Sequence, residues 1–130
     1  MTAQMATRHP AAARPIRWAA DAVAVLREGA RLRLDYSARS LWSVDRTIQE
    51  IRRDGAPYDA VHTVLRCFGA YAGEVIARHT GGEWLETHLG LMLRTPDGRY
   101  WDPVVEARRC WSGDGSLHLL CREATAAAAA

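Results

Sequence analysis

Residues 58–79 carry the clearest periodicity in the chain. At 100° per residue Val61, Val64, Leu65, Phe68, Ala72, Val75 and Ile76 fall on one broad apolar arc. Gly69, Ala70, Gly73 and Ala77 cover the adjoining surface. Each glycine inside a helix costs about 1 kcal/mol relative to alanine. Such a cost is tolerable where another element packs almost onto the backbone, so this helix is expected at the centre of the molecule, with Gly81-Gly82 ending it.

Two further helices are predicted before it. Residues 18–28 place Ala19, Ala22, Val23 and Leu26 on one side, and Gly29 is suited to the turn that follows. Residues 37–53 repeat Leu41, Val44, Ile48 and Ile51 as a single buried stripe, with Ser37 as N-cap. Between them residues 31–36 alternate charged and apolar positions, which predicts an extended segment with Leu32 and Leu34 inward. His79 falls on the apolar arc at the end of the long helix, where an imidazolium suits the helix dipole.

After residue 82 the period changes from 3.6 to 2. Residues 83–87 read as a strand, and residues 88–94 as a second with Leu89, Leu91 and Leu93 on one face. Thr95-Pro96-Asp97-Gly98 is a turn signal, and residues 99–101 should pair back. Asp102-Pro103 has the form of a helix start, making residues 104–110 a helical turn. Residues 116–124 fit a strand through Leu117, Leu119 and Cys121 or a helix through Leu117, Leu120 and Cys121, with helix favoured. The expected class is α+β: three N-terminal helices, the Gly/Ala-rich one central and packed on a small antiparallel sheet, then a short C-terminal helix or strand. One domain over 16–124 is expected, between a disordered segment 1–15 and a disordered alanine tail 125–130.

Composition narrows the function classes. A chain of 130 residues with 48% hydrophobic and 25% charged residues has the makeup of one soluble domain. All 17 basic residues are arginine, a bias that points to a high-GC genome. They are scattered among 15 acids for a net charge of +2, which argues against a nucleic-acid binder. Cys67, Cys110 and Cys121 are odd in number and lack a Cys-x-x-Cys pair, favouring the cytoplasm over a disulfide framework or a structural zinc site. No signal peptide and no membrane span are expected.

The order Leu34-Asp35-Tyr36-Ser37, Ser40-Leu41, Val44-Asp45, then Gly69-Ala70-Tyr71-x-Gly73-Glu74-Val75-Ile76-x-Arg78, then Gly81-Gly82-x-Trp84 and Asp102-Pro103 resembles a group of small bacterial proteins. They are common in actinobacteria and form a family of domains of unknown function. The likeness spans roughly residues 32–122. Glu106 and the segment Ser116-Leu117-His118-Leu119-Leu120 depart from the family pattern. The resemblance implies a shared fold more than an activity.

Candidate chemistry centres on Glu74 with Tyr71 as a catalytic pair. If their flank of the long helix is covered, the Glu74 carboxylate would be partly desolvated and suited to proton transfer, with Tyr71 donating beside it. The blander alternatives are a Glu74–Arg78 pair at i, i+4 and an aromatic at the core edge. Arg78, Trp84, Trp101, Trp111 and Asp35 are the candidate ligand- or partner-binding residues, since aromatics and arginine dominate interfaces. Asp35 also suits a capping role with Ser37. Asp45, Trp42 and Gln49 suggest a polar contact patch or a solvated helix face. His88, His118, Cys121 and Glu86 lack metal-ligand spacing, so no metal and no cofactor are expected. The cysteines read as small buried hydrophobes.

Two functions follow. The first is a small cytoplasmic interaction or accessory protein that binds a partner protein, such as an immunity or regulatory factor. The second is a small-molecule-binding protein or small enzyme of natural-product tailoring, with Glu74 as general acid/base in a pocket beside the central helix. The Gly/Ala-rich helix face also admits a homodimer.

Overall fold

The structure, a computed structural model, describes residues 9–10 and 13–129. It is an α+β fold of five helices and a small antiparallel sheet. In chain order the elements are β1 (His9–Pro10), α1 (Ala13–Gly29), α2 (Ser40–Arg53), α3 (Tyr58–Thr80), β2 (Glu83–Thr87), β3 (Gly90–Arg94), β4 (Tyr100–Trp101), α4 (Pro103–Trp111) and α5 (Leu117–Ala129). The sheet order is β1-β2-β3-β4 with every neighbouring pair antiparallel.

Helix α3 is the hub. Ten consecutive residues, 67–76, are buried, so the helix is covered on every side rather than along one stripe. α1, α4 and α5 pack against it, while α2 rests mainly on α4 and α5. The two mid-helix glycines mark where neighbours come closest. A Cβ on Gly69 would lie 2.5 Å from the Cα of Val104 and 2.8 Å from the carbonyl oxygen of Pro103, both backbone atoms of α4. A Cβ on Gly73 would fall inside the indole of Trp84, which reaches over from β2. Helix α4 and the sheet therefore both seat on bare backbone of α3. At its C-terminus, Gly81 (φ 80°) takes the left-handed conformation and donates its N–H to the Ala77 carbonyl at 2.8 Å.

Several local expectations change. α1 begins at Ala13 rather than residue 18, and β1 pairs with β2, so part of the N-terminal segment expected to be disordered has structure; residues 1–8, 11 and 12 lie outside the described residues. An ion pair of 2.7 Å between Arg14 and Glu86 ties the start of α1 to β2. The alanine tail is helical through Ala129, continuing α5 as alanine's high helix propensity allows. Residues 31–36 form no strand, since Arg31 (φ 57°) and Tyr36 (φ 64°) adopt left-handed backbone that breaks an extended run; Leu34 is nevertheless buried. Leu89 sits in the two-residue turn between β2 and β3 and is 75% exposed, so of the expected leucine face only Leu93 is fully buried. His79 is exposed and bonds back to the Val75 carbonyl through Nδ1 at 2.7 Å. Residues 116–124 are helical, and α4 is a nine-residue helix capped by Asp102, whose carboxylate accepts the Val105 N–H at 3.1 Å.

The N-terminus of α5 is closed by side chains from elsewhere. Glu106 accepts the Ser116 N–H at 3.0 Å, and Asp45 of α2 accepts the N–H groups of Leu117 (2.8 Å) and His118 (3.3 Å). The Ser116 hydroxyl accepts the Leu119 N–H at 3.1 Å. All four donors that a helix start leaves unsatisfied thus have partners, two of them on one remote carboxylate at the positive end of the helix dipole.

Because the Gly69 contact is with backbone that cannot rotate away, Gly69→Ala should destabilise by at least about 2 kcal/mol in urea unfolding despite alanine's better helix propensity. Gly29→Ala, where nothing lies within 4 Å of the added methyl, should be neutral or stabilising by up to about 1 kcal/mol.

Candidate functional site

Glu74 and Tyr71 occupy the covered flank of α3, and each is tied to a neighbouring segment. The Trp84 indole N–H donates to Glu74 Oε2 at 3.1 Å, and Arg78 Nε stands 4.0 Å from Oε1. Glu74 is 8% exposed, so a buried carboxylate is matched to a buried donor. Tyr71 is fully buried. Its hydroxyl accepts the backbone N–H of Tyr36 at 2.7 Å and shares a hydrogen bond with the Ser40 hydroxyl at 2.6 Å. Burial pushes the Tyr71 phenol up from its ordinary range, partly offset by its bond to Ser40. The Tyr36 ring lies 4.9 Å from that of Tyr71, and the Arg78 guanidinium sits 3.6 Å above the centre of the Tyr36 ring.

Of the residues singled out from sequence, Glu74, Tyr71, Arg78 and Trp84 therefore form one connected cluster, joined through Tyr36. Asp35 lies on the adjoining loop. Its Oδ1 accepts both the N–H (3.0 Å) and the hydroxyl (2.6 Å) of Ser37, which hold its carboxyl below the usual carboxylate range. Ser37 in turn accepts the Ser40 N–H at 3.2 Å, capping the turn that leads into α2.

Trp101 and Trp111 lie elsewhere. Trp101, half-buried, donates to the Thr95 hydroxyl at 2.9 Å inside the β3–β4 turn. Trp111, also half-buried, packs edge-on to Tyr58 at 5.5 Å, at the opposite end of α3 from Glu74 and about 24 Å along the helix axis. Among the described residues no group of three His, Cys, Asp or Glu side chains is placed to hold a metal ion; His118 instead stacks on Trp42 at 3.9 Å.

Neither Glu74 nor Tyr71 lines any of three surface cavities formed by described residues. The largest of these three, an open groove of about 410 Å³, runs between α2 and the start of α5. Trp42, Arg46 and Gln49 form one wall, Leu119 and Ser116 the other, with Cys110 and Asp45 at the base. Trp42 is 52% and Leu119 48% exposed, so two large apolar side chains flank it in solvent. Gln49 donates to the Cys110 carbonyl and fixes α2 against α4. Burial and the nearby Asp45 carboxylate push the Cys110 thiol up to about 11, and burial also raises Cys67 and Cys121. All three are protonated near neutrality, which makes them poor nucleophiles.

The groove was only partly visible in the sequence. Trp42, Asp45 and Gln49 share a face of α2 at helical spacing, but nothing local shows that Asp45 caps α5 or that Leu119 comes to stand beside Trp42. Comparison with protein-family models, with characterised proteins and with solved structures gives no match.

Glu74→Gln keeps an oxygen to accept the Trp84 indole N–H and should cost less than about 1 kcal/mol, whereas Glu74→Ala orphans that buried donor and should cost about 1–3 kcal/mol in urea unfolding.

The Cys110 thiol titrates near 9.0 when unfolded and near 11 when folded. An acid whose folded pKa is raised contributes stability that is fully present below its unfolded pKa and lost as pH rises through its folded one. Thermal stability should fall as pH rises from about 9 toward 11, more shallowly in Cys110→Ala, and the folded protein should resist iodoacetamide at pH 7.

Proposed function

We propose that the protein is a small cytoplasmic interaction protein that binds a partner protein through the Trp42 groove. The observation that carries this reading is the composition of one exposed stripe. Arg39, Trp42, Arg46, Gln49 and Arg53 recur at spacings of three and four along the turn into α2 and α2 itself, all at least partly in solvent. The opposite face, with Leu41, Val44 and Ile48, is buried.

Tryptophan and arginine are the residues that most often dominate interface energetics, and Trp42 is already held by its stack on His118. Little rotamer entropy remains to be lost when a partner covers it. Leu119 extends the apolar surface across the groove. Arg39, Arg46 and Arg53 form no ion pair with a described residue, whereas Asp45 accepts the N–H groups of α5. Charge complementarity therefore favours a partner segment with an apolar side chain for the Trp42–Leu119 wall and acidic side chains for the arginines. A regulatory or immunity role suits such a surface. Three buried free cysteines accord with a reducing compartment, and no helix among the described residues is long and apolar enough to cross a membrane.

The enzymatic reading is weaker. Glu74 serves as acceptor for Trp84, and Tyr71 as acceptor for the Tyr36 backbone, which leaves neither side chain facing a described cavity.

The test is affinity capture from lysate of the source organism, followed by titration of the purified partner. Trp42→Ala should weaken the complex about 30-fold or more, matching a hot-spot loss of about 2 kcal/mol. Arg46→Glu should weaken it and reduce its salt sensitivity, while Glu74→Gln and Trp101→Phe leave it intact. Equal capture by the Trp42 and Arg46 variants would overturn the assignment.

A further inference from the structure

The linker 31–36 between α1 and α2 holds an unusual backbone in place. Arg31 and Tyr36, neither of them glycine, take left-handed φ values of 57° and 64°, conformations that cost a long or aromatic side chain about 1 kcal/mol or more. Both ends are pinned: the Leu32 N–H donates to the Leu26 carbonyl at 2.9 Å, and the Tyr36 N–H to the Tyr71 hydroxyl at 2.7 Å. Leu34 between them is buried. The strap is thus fixed at three points, and Arg33 on it lines the same cavity as Arg27 of α1.

Those two arginines line a cavity of about 260 Å³, with Val23 and Leu34 as its apolar wall and Asp35 at its side. Neither Arg27 nor Arg33 forms an ion pair with a described residue. Asp35 forms no ion pair with either arginine, and its Oδ1 accepts both donors of Ser37. Two arginines on one concavity repel each other and are matched by an oxyanion, which each guanidinium fork can hold with charge-assisted hydrogen bonds. The volume holds about nine groups of water size at ~30 Å³ each, enough for a small organic acid or a phosphate ester.

We propose that this cavity is a binding site for a small oxyanion, its phosphate or carboxylate group held between Arg27 and Arg33 and its apolar body set against Val23 and Leu34. The site uses none of the groove residues and stands or falls independently of the partner-binding reading. It also gives the strained backbone at Arg31 and Tyr36 a purpose, since an extended linker would point alternate side chains away from each other.

The experiment is calorimetric titration of inorganic phosphate and, separately, of 3-methylbutanoate into the full chain at constant ionic strength, with chloride as the blank. Saturable binding of either probe is expected. Tighter phosphate binding would identify a phosphoryl ligand, and tighter 3-methylbutanoate binding a carboxylate with an aliphatic body. Arg27→Gln and Arg33→Gln should each weaken binding about tenfold or more, and Arg46→Gln, in the other groove, should leave it unchanged. Asp35→Asn, which removes a like charge from the cavity while keeping an oxygen for Ser37, should tighten it. The affected side chains are exposed, and unchanged melting temperatures will verify folding. Absence of saturable binding to the native chain would overturn the proposal. So would binding that survives both arginine changes, binding that falls equally with Arg46→Gln, or weakening by Asp35→Asn.

Discussion

The contact between Gly69 of α3 and the backbone of Val104 sets the geometry of the whole molecule. Where a side chain would normally hold two helices 8–10 Å apart, a bare Cα lets α4 settle directly on α3. One turn further on, Gly73 accepts the Cζ2–Cη2 edge of the Trp84 indole, so the sheet is seated on the same helix within four residues. This pairing of glycines permits ten successive residues of α3 to be buried. With α4 fixed there, Cys110 and Glu106 are fixed too, and through them the start of α5 and the floor of the groove beside Trp42. The surface proposed to meet a partner is therefore defined by a contact in the deepest part of the core.

Covering a helix on all sides has a second consequence. Any polar side chain on it must find its partner inside the protein. Tyr71 and Glu74 satisfy that demand by acting as anchors for neighbouring segments: Tyr71 holds the irregular linker at Tyr36, and Glu74 holds the indole of Trp84 on β2. Asp45 does the same on α2, where it receives the first N–H groups of α5. Three side chains whose chemistry would draw attention in any search for a catalytic group are consumed in joining elements. A carboxylate already bonded to a buried donor is poorly placed to shuttle protons, because releasing it costs that hydrogen bond each time.

Much of this was legible before the coordinates, and the failures share one cause. The central helix, its two unusual glycines, the Thr95–Gly98 turn and the Asp102-Pro103 helix start follow from local spacing and from residue types with narrow conformational preferences. The residues that sequence periodicity placed wrongly are governed by partners far along the chain. Alternation in residues 31–36 reads as a strand, yet its backbone is bent at both ends by bonds to Leu26 and to Tyr71. Leu89 fits an inward position by count, but the register of β2 with β3 makes it a turn residue. Asp45 reads as a solvated charge until α5, more than seventy residues later, is seen to begin on it. At the candidate site, helical projection placed Glu74, Tyr71 and Arg78 on one flank, whereas Trp84, Trp101 and Trp111 could be assigned no position without tertiary contacts.

The distribution of arginine separates structural charge from charge left for binding. Arg14, Arg78, Arg99 and Arg109 each lie within 4.0 Å of a carboxylate, and their task is local: they tie strand to helix, pair along one helix or steady a turn. Arg27, Arg33, Arg39, Arg46 and Arg53 are among the arginines that have no such partner among the described residues, and they fall in two places. Two share the cavity behind the linker, and three follow one stripe beside Trp42. Five of the 15 acids act as caps and anchors: Asp35 on Ser37, Asp45 on α5, Asp102 on α4, Glu74 on Trp84 and Glu106 on Ser116. With these carboxylates engaged in structural bonds, the arginines beside Trp42 and behind the linker are the charges that both proposals assign to the recognition of anionic groups.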